Sequence, residues 1–225
     1  MSIAILLPSY NEEENIAQTI EAIEKIKSSA TDGNTWQIYL ADGGSTDKTR
    51  EIAKEHGAIV LDFSERGKGR AIKYAFTNID SDYLIIMDAD ISYPAAAIPQ
   101  ILEKLKNESC DVVIGSRFSG SIEQGAMKPL NSIGNQMLTI AGNILYKNKT
   151  SDLCSGMQGF TKKAYKNMNI DAPHFEVEAN FFVEADKKGL KICEIPIDYK
   201  RRGGVSKLSF KHGIKIGLYL LKRKF

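Results

Sequence analysis

Asp88 and Asp90 stand one residue apart at the end of the apolar run YLIIM, a stretch that reads as a buried strand. Carboxylates so close repel one another, and burial raises the cost unless a cation or hydrogen-bond donors compensate. In an extended segment residues i and i+2 point to the same side, so both side chains can converge on one ion. With no His or Cys nearby, these hard oxygen ligands favour Mg²⁺ or Mn²⁺ over zinc. Mg²⁺ shares its shell with substrate phosphates, which makes a nucleotide diphosphate the natural third partner.

Further chemistry-bearing residues fall at the ends of other apolar runs. IAILLPSY reads as a strand ending at Tyr10 and Glu12, WQIYLA as one ending at Asp42, and DVVIGSR as one ending at Arg117. AIVLDF supplies another strand. Helical patterns separate them: Ile16, Ile20 and Ile23 recur at helical spacing after Asn11, a suitable N-cap with Glu14 in the capping-box position. RGKGRAIKYAF reads as a glycine-containing turn feeding a helix, and Pro94 opens PAAAIPQILEKLK. Strands alternating with helices over residues 1–117 predict an α/β fold with a mainly parallel, doubly wound sheet. Ligands of such sheets bind outside the carboxyl ends of the strands, where the polar clusters gather. After Arg117 the pattern predicts a helix over KPLNSIGNQMLTIAGNILY, a loop over SDLCSGMQGF, a helix over FEVEANFFVEADKKG, a strand over KICEIPIDYK and a basic amphipathic C-terminal helix. The expected organisation is one domain over 1–225, with a strand–helix alternating part (1–117), a second part (118–208) and the helix 209–225.

Composition narrows the class. No window holds about 18 apolar residues, so no membrane span is expected, and IAILLP is too short, and lacks the basic flank, of a signal peptide. The cysteines Cys110, Cys154 and Cys193 are odd in number and form no CxxC; they read as separate core thiols of a reducing compartment. The net charge of +2 hides an asymmetry: residues 199–225 hold nine Lys/Arg and no Asp/Glu, while the rest carries 21 basic against 28 acidic side chains, a net −7. A basic tail on an acidic body points to an anionic partner. A D-x-D pair also serves phosphatases of the haloacid-dehalogenase type, but there it ends the first strand; here it ends the fourth, followed by Ser92.

The stretches LLPSYNEEENI, ADGGSTDKT, RGKGRAI, IIMDADISYP, VVIGSRF, CSGMQGF and IPIDYKRRGGVSKLS together resemble family 2 glycosyltransferases of the GT-A fold, a Rossmann-like nucleotide-diphospho-sugar transferase architecture. The resemblance is greatest to the dolichyl-phosphate mannose synthase and polyprenyl-phosphate glycosyltransferase group. It implies that Pro8, Tyr10, Glu12, Leu40, Ala41, Asp42, Asp88 and Ala89 contact the nucleotide-sugar donor, and that Asp88 and Asp90 hold Mg²⁺ or Mn²⁺. Asp90, Arg117 and Asp152 become the catalytic candidates, and Arg117, Arg201, Arg202 and Lys207 the binders of an acceptor phosphate. Two positions depart from the pattern: Gly43 replaces a second acidic residue after Asp42, and Ser92 replaces a Gln two residues past the D-x-D.

The acceptor decides whether a base is needed. A saccharide hydroxyl must lose its proton, and Asp152, Glu176 or Glu178 would have to take it. A lipid phosphate, with a second pKa of roughly 6, arrives ionised and needs positioning cations, for which the planar Arg fork is suited. The expected activity is metal-dependent, inverting transfer from GDP-mannose or a UDP-sugar to a polyprenyl phosphate. Transfer to a saccharide hydroxyl, or non-catalytic nucleotide-sugar binding, are the alternatives. In the tail, Phe210, Ile214, Gly217, Leu218 and Leu221 recur at helical spacing beside Lys211, Lys215 and Lys222. That pattern suits an interfacial helix, so the protein is expected in the cytoplasm, peripheral to the membrane, with a membrane subunit or second copy as further partners and no nucleic acid.

Overall fold

Strand β1 (Ser2–Ser9) is buried at every position after Ser2, as its unbroken apolar run demands of a central strand covered on both faces. In the computed structural model, which describes residues 1–31, 33–63, 65–107, 109–204 and 210–225, β1 pairs in parallel with β2 (Thr35–Asp42) on one side and β4 (Tyr83–Met87) on the other. The sheet has seven strands in the order β3-β2-β1-β4-β6-β5-β7. Here β3 is Ile59–Val60, β5 Val112–Ile122, β6 Met157–Thr161 and β7 Ile192–Tyr199. Only β6 runs antiparallel, between β4 and β5, while β7 pairs in parallel with β5.

Helices cover both faces. One core packs α1 (Ile16–Ser29) and α4 (Ile98–Asn107) on the sheet through Ile16, Ile20, Ile23, Ile98 and Ile101. The other packs α3 (Lys68–Asn78), α6 (Lys162–Asn167) and α7 (Val177–Lys187), with Phe76, Phe160 and Phe181 in mutual ring contact. The short α2 (Thr49–Glu55) follows the turn after β2. A third cluster joins α5 (Pro129–Leu145), α7 and α8 (Phe210–Lys224) around Leu153, Phe182, Ile216 and Leu220. Both halves expected from the sequence contribute strands to this single sheet.

Several local expectations change. The helix begins at Ile16 behind Asn15, so Asn11 is not its N-cap and Glu12 to Glu14 precede its first turn. Asn11 has a positive φ of 51°, and its carboxamide oxygen accepts from the Thr46 backbone N–H, tying the end of β1 to the turn after β2. SDLCSGMQGF is not all loop: its end is β6, whose Gly159 packs where a Cβ would come within 2.3 Å of Ile101. Cys110 and Cys193 are not separate thiols but a disulfide, Cα atoms 5.9 Å apart across 83 residues. The parallel pairing of Val113 with Cys193 creates that proximity, which sequence spacing does not encode. No helix among the described residues is long and apolar enough to cross a membrane.

Candidate active site

A cavity of about 960 Å³ opens beyond the carboxyl ends of β1 and β4. Pro8, Tyr10, Glu12, Asp88, Ala89, Asp90, Arg117, Arg201 and Arg202 line it, so most of the residues singled out in the sequence meet there. Leu40 and Ala41 do not: they are buried in the cores on opposite faces of the sheet, because successive residues of a strand point to opposite sides. Asp42 is 1% exposed and off the cavity wall. It accepts from the Ser45 backbone N–H and hydroxyl and pairs with Arg50 at 3.3 Å, so its carboxylate orders the turn. Lys207 lies outside the described residues, as does the side chain of Phe210.

The two aspartates are each met by a cation of the protein. Lys68 Nζ, from the RGKG turn, lies 2.6 Å from both Asp88 Oδ1 and Glu178 Oε1. Burial opposes the charge on Lys68, but the two carboxylates outweigh it and leave its pKa raised. Arg202 spans Asp90 Oδ2 at 3.2 Å and Glu12 Oε1 at 3.1 Å, while Asp90 Oδ1 accepts from the Ser92 hydroxyl and backbone N–H. Burial, and then the charge of Asp88, holds the Asp90 carboxyl above the usual aspartate range despite these partners. The segment carrying Arg202 lies across the D-x-D loop: Lys200 N–H donates to Ser92 O and Gly203 N–H to Asp90 O.

Glycines set the close approaches. A Cβ on Gly156 would sit 2.2 Å from Asp88 Oδ2, and one on Gly69 1.9 Å from the Ala172 carbonyl oxygen. Gly67, at φ 131°, places the turn against Pro173 and His174, so the RGKG turn is docked on the segment before α7 and aims Lys68 inward. On the far wall Arg117 grips Asp152 in a bidentate pair, with Nε–Oδ2 and Nη2–Oδ1 both 2.7 Å. Asp152 is fully buried and stands behind Arg117, away from the cavity wall. The sequence reading gave Lys68 no role and missed Tyr93 and Tyr199, which pack edge to face on the wall. Tyr93 OH accepts from Gly156 N–H at 2.7 Å; a tyrosine just before Pro94 was the one available signal. Cys154 also reaches the wall, where burial pushes its thiol up to about 12 and favours the protonated form.

A hard divalent ion fits this donor set through Asp88. Its Oδ2 meets no protein donor among the described residues, and the side chain is 29% exposed against 9% for Asp90. No group of three or more His, Cys, Asp or Glu that could hold a metal occurs among the described residues, so most of the shell would come from non-protein oxygens, as Mg²⁺ prefers. Arg66, Lys128 and Arg201 also line the cavity; the Arg201 guanidinium donates to Gln124 O, and Arg66 stacks over the Tyr10 ring at 5.4 Å. The lining thus combines the carboxylates of Glu12, Asp88, Asp90 and Glu178 with six Lys and Arg side chains.

Comparison with known proteins shows the family. The profile of Glycosyl transferase family 2 matches residues 4–168. The low-salt glycan biosynthesis hexosyltransferase Agl6 of Haloferax volcanii is 36% identical over 94% of this chain, which spans about half (51%) of that protein's length. A dolichyl-phosphate hexose transferase of the same organism is 30% identical over 98% of this chain and 92% of its own. The crystal structure of glucosyl-3-phosphoglycerate synthase from Mycobacterium tuberculosis, in complex with Mn²⁺, UDP-glucose and phosphoglyceric acid, superposes with a TM-score of 0.78. It is 21% identical, over 99% of this chain and 79% of that one, and so shares the fold.

Proposed function

Because the chain belongs to glycosyl transferase family 2, we propose that it transfers a hexose from a nucleotide-diphospho-sugar to a polyprenyl phosphate, with inversion at the anomeric carbon. The observation carrying the acceptor is the state of the carboxylates. A hydroxyl acceptor needs a base, yet Asp152 is sealed behind Arg117, Glu178 is tied to Lys68, and Glu176 lines a different groove beside α8. A phosphate arrives ionised and needs no proton removed. The name of the dolichyl-phosphate hexose transferase relative points the same way.

In this reading Tyr10 and Arg66 receive the nucleoside end of the donor, with Pro8 and Ala89 beneath it. Arg117, Arg201 and Arg202 hold the acceptor phosphate in line with the anomeric carbon. Arg117 is fixed by Asp152, which makes Asp152 a positioning residue. Lys68 holds Asp88 in place through their ion pair. Mg²⁺ or Mn²⁺ on Asp88, with Asp90 behind it, would supply positive charge to the departing diphosphate. The basic helix α8 is the peripheral contact with the cytoplasmic face of a membrane.

The test is incubation with Mn²⁺, each of GDP-mannose, UDP-glucose and UDP-N-acetylhexosamine, and a short polyprenyl phosphate, followed by mass spectrometry. One donor is expected to give a lipid product heavier by one sugar residue, lost on chelation. Transfer to a saccharide hydroxyl with none to the lipid phosphate would overturn the acceptor reading.

A further inference from the structure

Glu194 stands on β7 beside Ile114 of β5, off the cavity wall, yet its carboxylate is spent on a single turn. Oε1 accepts from the Thr150 hydroxyl and from the Ser151 backbone N–H at 2.7 Å, and Oε2 from the Ser151 hydroxyl at 2.8 Å. All three donors are neutral groups. A carboxylate is suited to this work because it only accepts and has about four lone-pair sites, so one side chain can hold several donors of a turn at once. The next residue along that turn is Asp152, the partner of Arg117.

The hold passes from Glu194 to Arg117 by two short routes. Asp152 N–H donates to the Thr150 hydroxyl oxygen at 3.1 Å, and the Asp152 carboxylate takes the Arg117 backbone N–H at 3.0 Å besides the guanidinium. The Ser151 hydroxyl also bonds the hydroxyl of Ser116, the residue before Arg117, at 2.6 Å. Helix α5 grips the two ends of the turn, through Asn143 on Thr150 and Thr139 on Leu153. Glu194 grips the two residues directly before Asp152. In the guanidinium, Nε and Nη2 are engaged by Asp152 and by the Cys154 carbonyl; Nη1 has no protein acceptor among the described residues. The fork is planar and rigid, so whatever tilts the Asp152 carboxylate swings Nη1 with it.

We propose that Glu194 is a positioning residue for the acceptor phosphate: through the Thr150–Ser151 turn it fixes Asp152, and through Asp152 the direction in which Arg117 presents Nη1. The role in acceptor binding rests on the polyprenyl-phosphate reading; the mechanical link from Glu194 to Arg117 does not.

The experiment compares Glu194→Ala, which removes all three acceptors, with Glu194→Gln, which keeps one oxygen for the Thr150 hydroxyl and Ser151 N–H. The first readout needs no substrate: the ¹⁵N–¹H signal of Arg117 Nε, assigned by its loss in Arg117→Lys. It should shift or broaden in Glu194→Ala and return in Glu194→Gln. The second is steady-state kinetics with Mn²⁺, a short polyprenyl phosphate and the donor that wild type uses. Glu194→Ala should raise KM for the lipid phosphate roughly tenfold or more and leave the donor KM within about twofold, and Glu194→Gln should restore most of the loss. A merely structural loss would lower the active fraction, and so kcat, without moving the acceptor KM alone. Glu194→Ala added to Arg117→Lys should cost nothing further, because both act through one group. Where Glu194→Ala does not fold, Ser151→Ala removes only the hydroxyl contacts and should move the signal and the acceptor KM in the same direction. An unmoved Arg117 signal with wild-type acceptor KM would overturn the proposal, as would multiplying losses in the double variant. A moved signal with no lipid-phosphate transfer by any form, wild type included, would sink the acceptor reading alone.

Discussion

Arg202 and Lys68 occupy the positions around Asp90 and Asp88 where an added cation would act. Repulsion between the aspartates is therefore met internally, and a divalent ion must compete with these two side chains. Arg202, 22% exposed and shared between Asp90 and Glu12, is the easier to displace. A partly exposed ion pair contributes about 1 kcal/mol, so Arg202→Gln should tighten Mn²⁺ binding to the donor-free protein roughly fivefold. Turnover should fall, since the acceptor phosphate loses a ligand. Titration of free Mn²⁺ by electron paramagnetic resonance measures the first effect, and an unchanged affinity would show that Arg202 does not compete. Legibility at this scale was uneven. Asp88, Asp90 and Arg117 were readable because charged groups at the ends of apolar runs have few bland explanations. Leu40, Ala41 and Asp42 were not, because whether a residue at a strand end faces the cavity, the core or its own turn depends on neighbours that spacing does not name.

Elements meet the site through glycines, and two of these separate chemistry from stability. Gly156 begins the approach to β6 and has the Asp88 carboxylate as its nearest neighbour, whereas Gly69 in α3 faces the backbone oxygen of Ala172. A side-chain oxygen can turn aside; a carbonyl held in the segment before α7 cannot. Gly156→Ala should therefore reduce turnover by an order of magnitude or more with a melting temperature close to wild type. Gly69→Ala should destabilise the fold by about 1–3 kcal/mol, as overpacking does. Parallel measurement of activity and thermal unfolding tests the contrast, and equal stability losses in both variants would refute it. The misplaced N-cap has the same origin: Asn11 is a good capping residue, but its side chain is claimed by Thr46 of a neighbouring turn.

Across the whole molecule the Cys110–Cys193 disulfide ties the start of β5 to the edge strand β7, away from the cavity. Closing a loop of 83 residues restricts the unfolded chain by about 4–5 kcal/mol in the chain-entropy account. At 2–4 °C per kcal/mol for a protein of this size, reduction should lower the melting temperature by roughly 10 °C. Alkylation of the unfolded, unreduced protein should tag Cys154 alone, and all three cysteines after reduction. Three tags without reductant would show that the bridge is absent. The bridge fixes the start of β7 beside β5, at the opposite end of the strand from the segment that crosses the D-x-D loop.

The sequence by itself determined the alternation of strands and helices, the paired aspartates at a strand end, the basic tail and the family resemblance. These are local in the chain, where hydrophobic period and residue type carry the information. Tertiary structure alone decided that β6 enters the sheet antiparallel, that two cysteines 83 residues apart are joined, and that Lys68 and Arg202 sit on the aspartates. Each of these depends on which distant surfaces meet, and burial and charge are fixed only when the chain has closed on itself.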